Sequence, residues 1–553
     1  MSAGAGFSAL RSLLPHAEDY SGLSRSWRAD LVAGLTVGIV ALPLALAFGV
    51  SSGVGAEAGL ITAIVAGLVA AVFGGSNVQV SGPTGAMVVV LVPIVAAHGT
   101  GAVVIVSIMA GVIVLAAGLL RLGRAVSYIP WPVIEGFTAG IGVIIFLQQV
   151  PAAVGVSGGG HATNAVAAAA EVLAQASWPA ALLPLGAVAA VAVIMWICGR
   201  FAPALPASFI AIVVVSLIVV LAGLPLPAIG ALPHSLPVPS LPMISPELLG
   251  ELAGPALAVA ALAAIESLLS TRVAATLADT GHMNADRELF GQGLASIASG
   301  LFGGMPATGA IARTAVNVRS GAKTRVAAAT HALVLLLVVI AAADVVSAIP
   351  LAALSGVLMM TAARMVSPAT MRRVLRSGRS SAAVFLITLF VTVAFDLIVA
   401  VGIGLAVAAF FALRALSRMS GAFRDRLPGD PEPGDDRIAL FHIEGSLFFG
   451  AADRLVEEIA AEPDVEVVIL RLSGLQIIDA TGANALAELV LTLERRGVTV
   501  LIKGVRPEHR ALLQQLGVIE SLRHPNHLFA ELDPALEHAR SHVRRSREAA
   551  PES

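Results

Sequence analysis

Two short stretches hold residues able to bind a charged ligand inside an otherwise apolar chain: VSGPTGAM (Val80–Met87) and GGMPATGAIART (Gly303–Thr314). Gly and Pro interrupt helices, and in lipid a broken backbone persists only where it lines a cavity or is buried in protein. A helix restarting at such a break offers unpaired backbone N–H groups with partial positive charge, an anion site that needs no fixed cation. Ser81, Gly82, Thr84 and Gly85 in the first break and Thr308, Gly309 and Ala310 in the second are small enough for close ligand approach. Thr84 and Thr308 add hydroxyl donors. The competing reading is that these residues only let helices pack closely. A matched pair of breaks, one in each half of a membrane region, favours a central binding site of the kind transporters use.

One charge stands out from this background. Glu266 sits in LAVAALAAIESLLS with apolar turns on both sides, where a carboxylate costs roughly 2.5–3.5 kcal/mol on insertion scales. An anion entering beside an ionised Glu266 meets repulsion, whereas a protonated Glu266 can donate a hydrogen bond to it. Glu266 is therefore the candidate carrier of a co-transported proton. The competing reading is a fixed ion pair with Arg313 or Arg272. Arg313 itself, just past the second break, either raises the local positive potential or pairs with a carboxylate. Glu135 (PVIEGF) begins a span, where snorkelling or capping is expected, and Asp344 and Asp396 are expected at the interface.

The elements that must position these residues are membrane spans. Of 553 residues, 57% are hydrophobic and 13% charged, about half the ~25% charge of soluble domains. Apolar runs long enough to cross a bilayer succeed one another across residues 30–419. No Lys or Arg occurs between Arg28 and Arg121, Arg124 and Arg200, or Arg200 and Arg272. The cationic clusters all fall on the side of the N-terminus, so the positive-inside rule predicts an even number of spans near fourteen with both termini cytoplasmic. The polar residues 1–29 are expected to be a cytoplasmic segment and not a cleavable signal. Cys198, the only cysteine, lies in an apolar run and is read as an inert thiol.

Past a Pro/Gly/Asp linker (residues 420–436) the charge density becomes that of a soluble domain. RIALFHIEGSLFF (Arg437–Phe449), VEVVILRLSGL (Val465–Leu475) and VTVLIKGV (Val498–Val505) read as strands. Ala451–Ala461, Gly482–Arg496 and Pro507–Leu516 read as helices, so residues 437–536 are a small α/β domain. Residues 537–553 are expected to be a charged, unstructured tail.

The first span (Ala33–Leu60), GGSNVQVSGPTGAM (Gly74–Met87), IESLLSTRVA (Ile265–Ala274) and GMPATGAIARTAVNVRSGAKTR (Gly304–Arg325) resemble the SulP/SLC26 anion transporter family. IIDATGANAL (Ile477–Leu486) resembles the STAS domain, that family's cytoplasmic module. The resemblance implies a polytopic α-helical membrane protein with fourteen transmembrane segments in two inverted seven-helix repeats, core and gate domains, and commonly a homodimer. It places Phe48 beside the substrate, a residue otherwise read as ordinary packing, and Arg313 near the anion. Family members with Asp in place of Glu266 resemble sodium-coupled bicarbonate carriers, in which Ser270 would help hold the cation. The family signature often has Gln after the proline of the first span; here Leu44 follows Pro43, so sulfate is not singled out. In related regulatory proteins a hydroxyl residue at the position of Thr481 is phosphorylated, although a capping or turn role for DATG (Asp479–Gly482) is the stronger reading.

Two motif matches fail. GVSGG (Gly155–Gly159) lacks the strand–turn–helix context of a nucleophile elbow, and SGAKT (Ser320–Thr324) has Ala322 where a phosphate loop needs Gly. No ATP site, cofactor site or metal-ligand spacing is read, and no enzyme activity is expected. The expectation is a secondary anion transporter in the cell membrane, proton-coupled and working by alternating access on sulfate, a C4-dicarboxylate or bicarbonate. An uncoupled exchanger or channel, a sodium-coupled carrier, a nucleobase carrier and a membrane-tethered signalling scaffold are the competitors. A cytoplasmic protein partner for the STAS domain is considered, and nucleic acid is not.

Overall fold

In a computed structural model of the chain, residues 11–124, 129–156, 164–203, 205–242, 245–277, 281, 283–395, 397–419, 421–448, 459 and 464–549 are described. They form two compact units, Met1–Leu405 and Ala406–Ser553. Asp396 and nearly all of the helix expected over Ala451–Ala461 lie outside the described residues.

The first unit is helical. Its elements in order are α1 (Leu23–Ser51), α2 (Ala56–Phe73), β1 (Ser81–Gly82), α3 (Gly85–His98), α4 (Thr100–Leu119), α5 (Trp131–Gln148) and α6 (Val150–Ala153). Then come α7 (Ala165–Gln175), α8 (Trp178–Phe201), α9 (Ala207–Leu221), α10 (Pro246–Leu277), α11 (Ala285–Leu301), β2 (Thr308–Gly309) and α12 (Ile311–Arg319). The last helices are α13 (Arg325–Ser347), α14 (Leu351–Met365), α15 (Pro368–Ser377) and α16 (Arg379–Ala394), and α17 (Leu397–Met419) runs through the Leu405/Ala406 division into the second unit. Among the described residues, nine helices are long and apolar enough to cross a membrane, and four shorter apolar helices accompany them. Large apolar side chains such as Trp196, Phe201, Leu221 and Phe390 point outward, an arrangement that lipid solvates and water does not.

The polar N-terminal segment is built into the unit. Asp19 accepts from both Arg287 amino groups (2.9 and 2.6 Å) and lies 3.5 Å from Arg325. Burial alone would raise the Asp19 carboxyl, but these hydrogen bonds and the two guanidinium charges bring it down to about 2. Asp30 accepts from the Lys323 and Thr324 amides and from the Thr324 hydroxyl, which closes the turn ahead of α13. Glu135, expected as a cap or a snorkelling group, accepts from Trp131 Nε1 one turn away. Asp344 is exposed and sits 3.4 Å from His234.

The second unit contains a five-stranded sheet in sequential order: β3 (Gly421–Asp425), β4 (Ile438–Leu447), β5 (Val467–Ile478), β6 (Thr499–Lys503) and β7 (Leu528–Phe529). Only β3 is antiparallel; the others are parallel, as alternating strands and helices require. Helices α18 (Ala480–Arg495), α19 (Pro507–Gln515) and α20 (Leu532–Ala549) complete it. The expectation of an unstructured tail over 537–553 is corrected for residues 537–549 by α20, and residues 550–553 lie outside the described ones. Ala535, Leu536, Ala539 and Val543, at helical spacing, bury against Ile438, Leu440, Val467, Ile469 and Leu501. The charges that suggested disorder occupy the other face; Arg540 bonds Asp435 (2.9 and 2.8 Å) and Glu432 of the linker. That hydrogen bonding holds the Asp435 carboxyl below its usual range.

Candidate anion site

The two breaks meet. Ser81 pairs with Gly309 and Gly82 with Thr308 in an antiparallel two-residue ladder, extended by the Ala310 amide donating to the Val80 carbonyl (2.8 Å). Antiparallel pairing sends the helices that follow, α3 and α12, away in opposite directions, so their N-termini converge. Thr84 and Ala310 are the N-caps, and neither side chain caps its helix. The first intrahelical bonds are Val88 N to Thr84 O (3.3 Å) and Thr314 N to Ala310 O (2.8 Å). The amides of Gly85–Met87 and Ile311–Arg313 therefore have no partner within their helices and present partial positive charge at the crossing.

The hydroxyls read as ligand donors are engaged with protein. Thr84 Oγ1 donates to Glu266 Oε2 at 2.8 Å. Thr308 Oγ1 lies 2.9 Å from Ser267 Oγ and 3.2 Å from the Ala263 carbonyl, and Ser267 accepts from the Gly309 amide (3.0 Å). Ser270 is paired with Thr314 at 3.0 Å, and Thr314 Oγ1 also accepts from the Val80 amide. Ser81 accepts from Gln292, whose amide reaches Glu288 as well; Glu288 further accepts from Gln79 (2.8 Å) and the Gly75 amide (2.8 Å). Ser267, Gln79, Gln292 and Glu288 are thus the side chains that sequence reading missed. They occur as ordinary polar residues, Ser267, Glu288 and Gln292 within helices and Gln79 just ahead of the first break, and only tertiary contact gives them meaning.

Arg313 is 2% exposed. Its Nη2 donates to the Pro83 carbonyl in the first break, while its Nη1 is buried with no hydrogen-bond partner among the described residues. The Arg313 and Glu266 charges interact through space. Phe48 is 5% exposed and borders Gly85: a Cβ built at Gly85 would lie 3.3 Å from Phe48 Cε1 and 2.2 Å from Ile145 Cδ1. A Cβ at Gly309 would lie 1.8 Å from Gln79 Nε2 and 3.1 Å from the Ser267 Cα. Phe48, Thr84, Gly85, Glu266, Ala310 and Arg313 thus surround one crossing, whereas Ser81, Thr308, Gly309 and Ser270 belong to its framework.

In the second unit, Asp479 Oδ1 caps α18 by accepting from the Gly482 amide (2.8 Å), and Thr481 is exposed in the first helical turn. The reading that the chain lacks metal-ligand spacing is corrected. His538 and His542 lie four residues apart on α20, and with His527 they bring one ring nitrogen each within 4.8 Å of the others. The i, i+4 histidine pair was the available signal.

Comparison with known proteins agrees with this architecture. Residues 27–388 match the sulfate permease family model and residues 432–535 the STAS domain model. The chain is 33% identical to the putative sulfate transporter YvdB of Bacillus subtilis, covering 90% of this chain and 95% of that one. It is 31% identical to the bicarbonate transporter BicA of Picosynechococcus, covering 93% and 95%. The solved overall structure of SLC26A9 superposes with a TM-score of 0.81 at 17% identity, covering 99% of this chain and 96% of that one, a likeness of fold. With paired helix breaks at its centre and a five-stranded C-terminal unit, the chain belongs to the sulfate permease family, the SulP/SLC26 anion transporters with a C-terminal STAS domain.

Proposed function

We propose that the protein is a secondary active, proton-coupled anion transporter working by alternating access, with the anion held between the N-termini of α3 and α12. The observation that carries this reading is the hydrogen bond from Thr84, the residue starting α3, to the intramembrane acid Glu266. While Glu266 is ionised, Thr84 donates to it. Once Glu266 takes a proton, it no longer needs that donor, and the Thr84 hydroxyl can turn to an anion at the helix start. Arg313 supplies positive potential from the second break, and Phe48 walls the site beside Gly85. Because the surrounding residues are buried, the anion enters only when the unit moves.

The chemistry fits a small anion: sulfate, a C4-dicarboxylate or bicarbonate. Likeness to a protein named as a bicarbonate transporter supports bicarbonate, and with it a second reading in which sodium replaces the proton. Ser270 is bonded to Thr314 and would have to release it to ligate sodium. We further place the protein in the cytoplasmic membrane as a homodimer of fourteen-span chains, both termini cytoplasmic, with the STAS domain open to a protein partner.

Uptake of labelled sulfate, fumarate, bicarbonate and chloride into proteoliposomes, with and without proton and sodium gradients, tests this. Accumulation of one anion driven by a proton gradient, lost in Glu266→Gln, is the expected result. Unchanged pH-driven accumulation in Glu266→Gln removes the proton role, and voltage-set flux without accumulation removes symport.

A further inference from the structure

We propose that His527, His538 and His542 form a binding site for a transition-metal dication of the zinc class, joining helix α20 to the segment that leads into β7. His527 ends the turn Pro525–His527 immediately before β7. His538 and His542, one turn apart, share a face of α20. One ring nitrogen from each of the three lies within 4.8 Å of the others.

Two observations favour a metal over mere ring packing. The Nε2 atoms of His538 and His542 are 3.3 Å apart, a distance that a hydrogen bond between the rings also spans, and zinc–nitrogen bonds of ~2.0–2.1 Å in a tetrahedron place ligand atoms roughly 3.3–3.4 Å apart. His527 is 4% exposed, and its Nδ1 has no hydrogen-bond partner among the described residues, a state that buried ring nitrogens rarely keep. Stacking accounts for the rings themselves, since His538 packs against His542 (4.9 Å between centroids) and Phe529 (5.5 Å). It does nothing for the orphaned nitrogen.

Phe529, His524 and the three histidines themselves are the rings that enclose the cluster. His524 also borders the cluster (6.0 Å to His527 between ring centroids), with its Nδ1 accepting from the Asn526 amide. Arg523 and Arg545 act on the same histidines and would repel a dication, so affinity falls below that of a thiolate site. Three protein ligands leave the fourth position to water.

The test uses the full chain, untagged, in detergent or nanodiscs. Co2+ titration should give one visible-absorbing tetrahedral site per chain, displaced by Zn2+. His542→Gln and, independently, His538→Gln should each weaken it by at least roughly tenfold. His542→Cys should keep the site and add a thiolate-to-cobalt band. Zn2+ should slow amide exchange over residues 532–549 by about tenfold or more in the wild type and His542→Cys, but not in the glutamine variants. Wild-type Co2+ binding no tighter than that of both glutamine variants overturns the site, as does zinc-independent exchange in α20.

Discussion

The two breaks share a backbone plan but differ in what their side chains do. The second, Thr308–Arg313, is fastened to α10: Thr308 and Gly309 to Ser267, and Thr314 to Ser270. The first, Ser81–Gly85, receives the charges. Glu266 meets it at Thr84, and Arg313 crosses over from the second break to the Pro83 carbonyl. A pseudo-symmetric pair of helix starts has thus been divided between a framework arm and a chemical arm. Backbone symmetry brings two positive helix ends to the crossing, and side-chain asymmetry brings a single acid to it.

Substitutions can break that division or sharpen it. Arg313→Ala should be the most damaging, because it removes the cation that spans both arms and leaves the buried Pro83 carbonyl without its donor, a cost of about 1–3 kcal/mol. Anion uptake should fall more than tenfold by order of magnitude, and wild-type uptake in this variant would detach Arg313 from the site. Next come the two glycines. Gly309→Ala forces a methyl into Gln79 and the Ser267 backbone, and overpacking of this kind typically costs about 1–3 kcal/mol. Gly85→Ala meets mainly the flexible end of Ile145. Thermal melting should therefore separate them: Gly309→Ala melts earlier, while Gly85→Ala melts near the wild type yet loses uptake.

Thr84→Val and Thr308→Val make a finer comparison. Both remove a hydroxyl of similar structural worth, about 1 kcal/mol. Only Thr84→Val should shift the pH dependence of uptake, and identical pH profiles in the two would dissolve the chemical arm. The smallest effect lies away from the crossing. Asp19, held down to about 2 by its arginines against the effect of burial, stabilises the folded state at neutral pH and above its ordinary value of 3.8. That contribution disappears as pH falls from there toward 2. Amide exchange over residues 17–30 should accelerate across that interval in the wild type, and already be fast at pH 7 in Asp19→Asn.

The breaks were legible in the sequence because Gly, Pro and Thr rarely cluster inside a long apolar run unless the helix stops there. Glu266 was legible on similar grounds, as an isolated acid between apolar turns. The division between the arms was not, because Thr84 and Thr308 are the same residue in similar contexts. Only the position of α10 decides that one hydroxyl reaches Glu266 and the other Ser267. Helix α20 was hidden differently. Its apolar face has only Ala535, Leu536, Ala539 and Val543 as buried residues, among many charges, so composition over the window resembled a solvated tail. The histidine trio was hidden because one member comes from a turn eleven residues ahead of the first of the two that the helix carries.

The ladder between Ser81 and Gly309 also acts as a ruler. Paired strands lie about 4.7–4.9 Å apart whatever their side chains, and here that spacing, set by peptide groups alone, ties together the two segments that lead into the helix starts. In the reading proposed above, changes at Thr84, Glu266 or Arg313 retune charge, protonation and affinity, while the ladder of peptide groups stays in place. On that reading the alignment of the two segments belongs to the backbone and the choice of anion to the side chains, so a chain of this design would change its anion over evolutionary time more easily than its central scaffold.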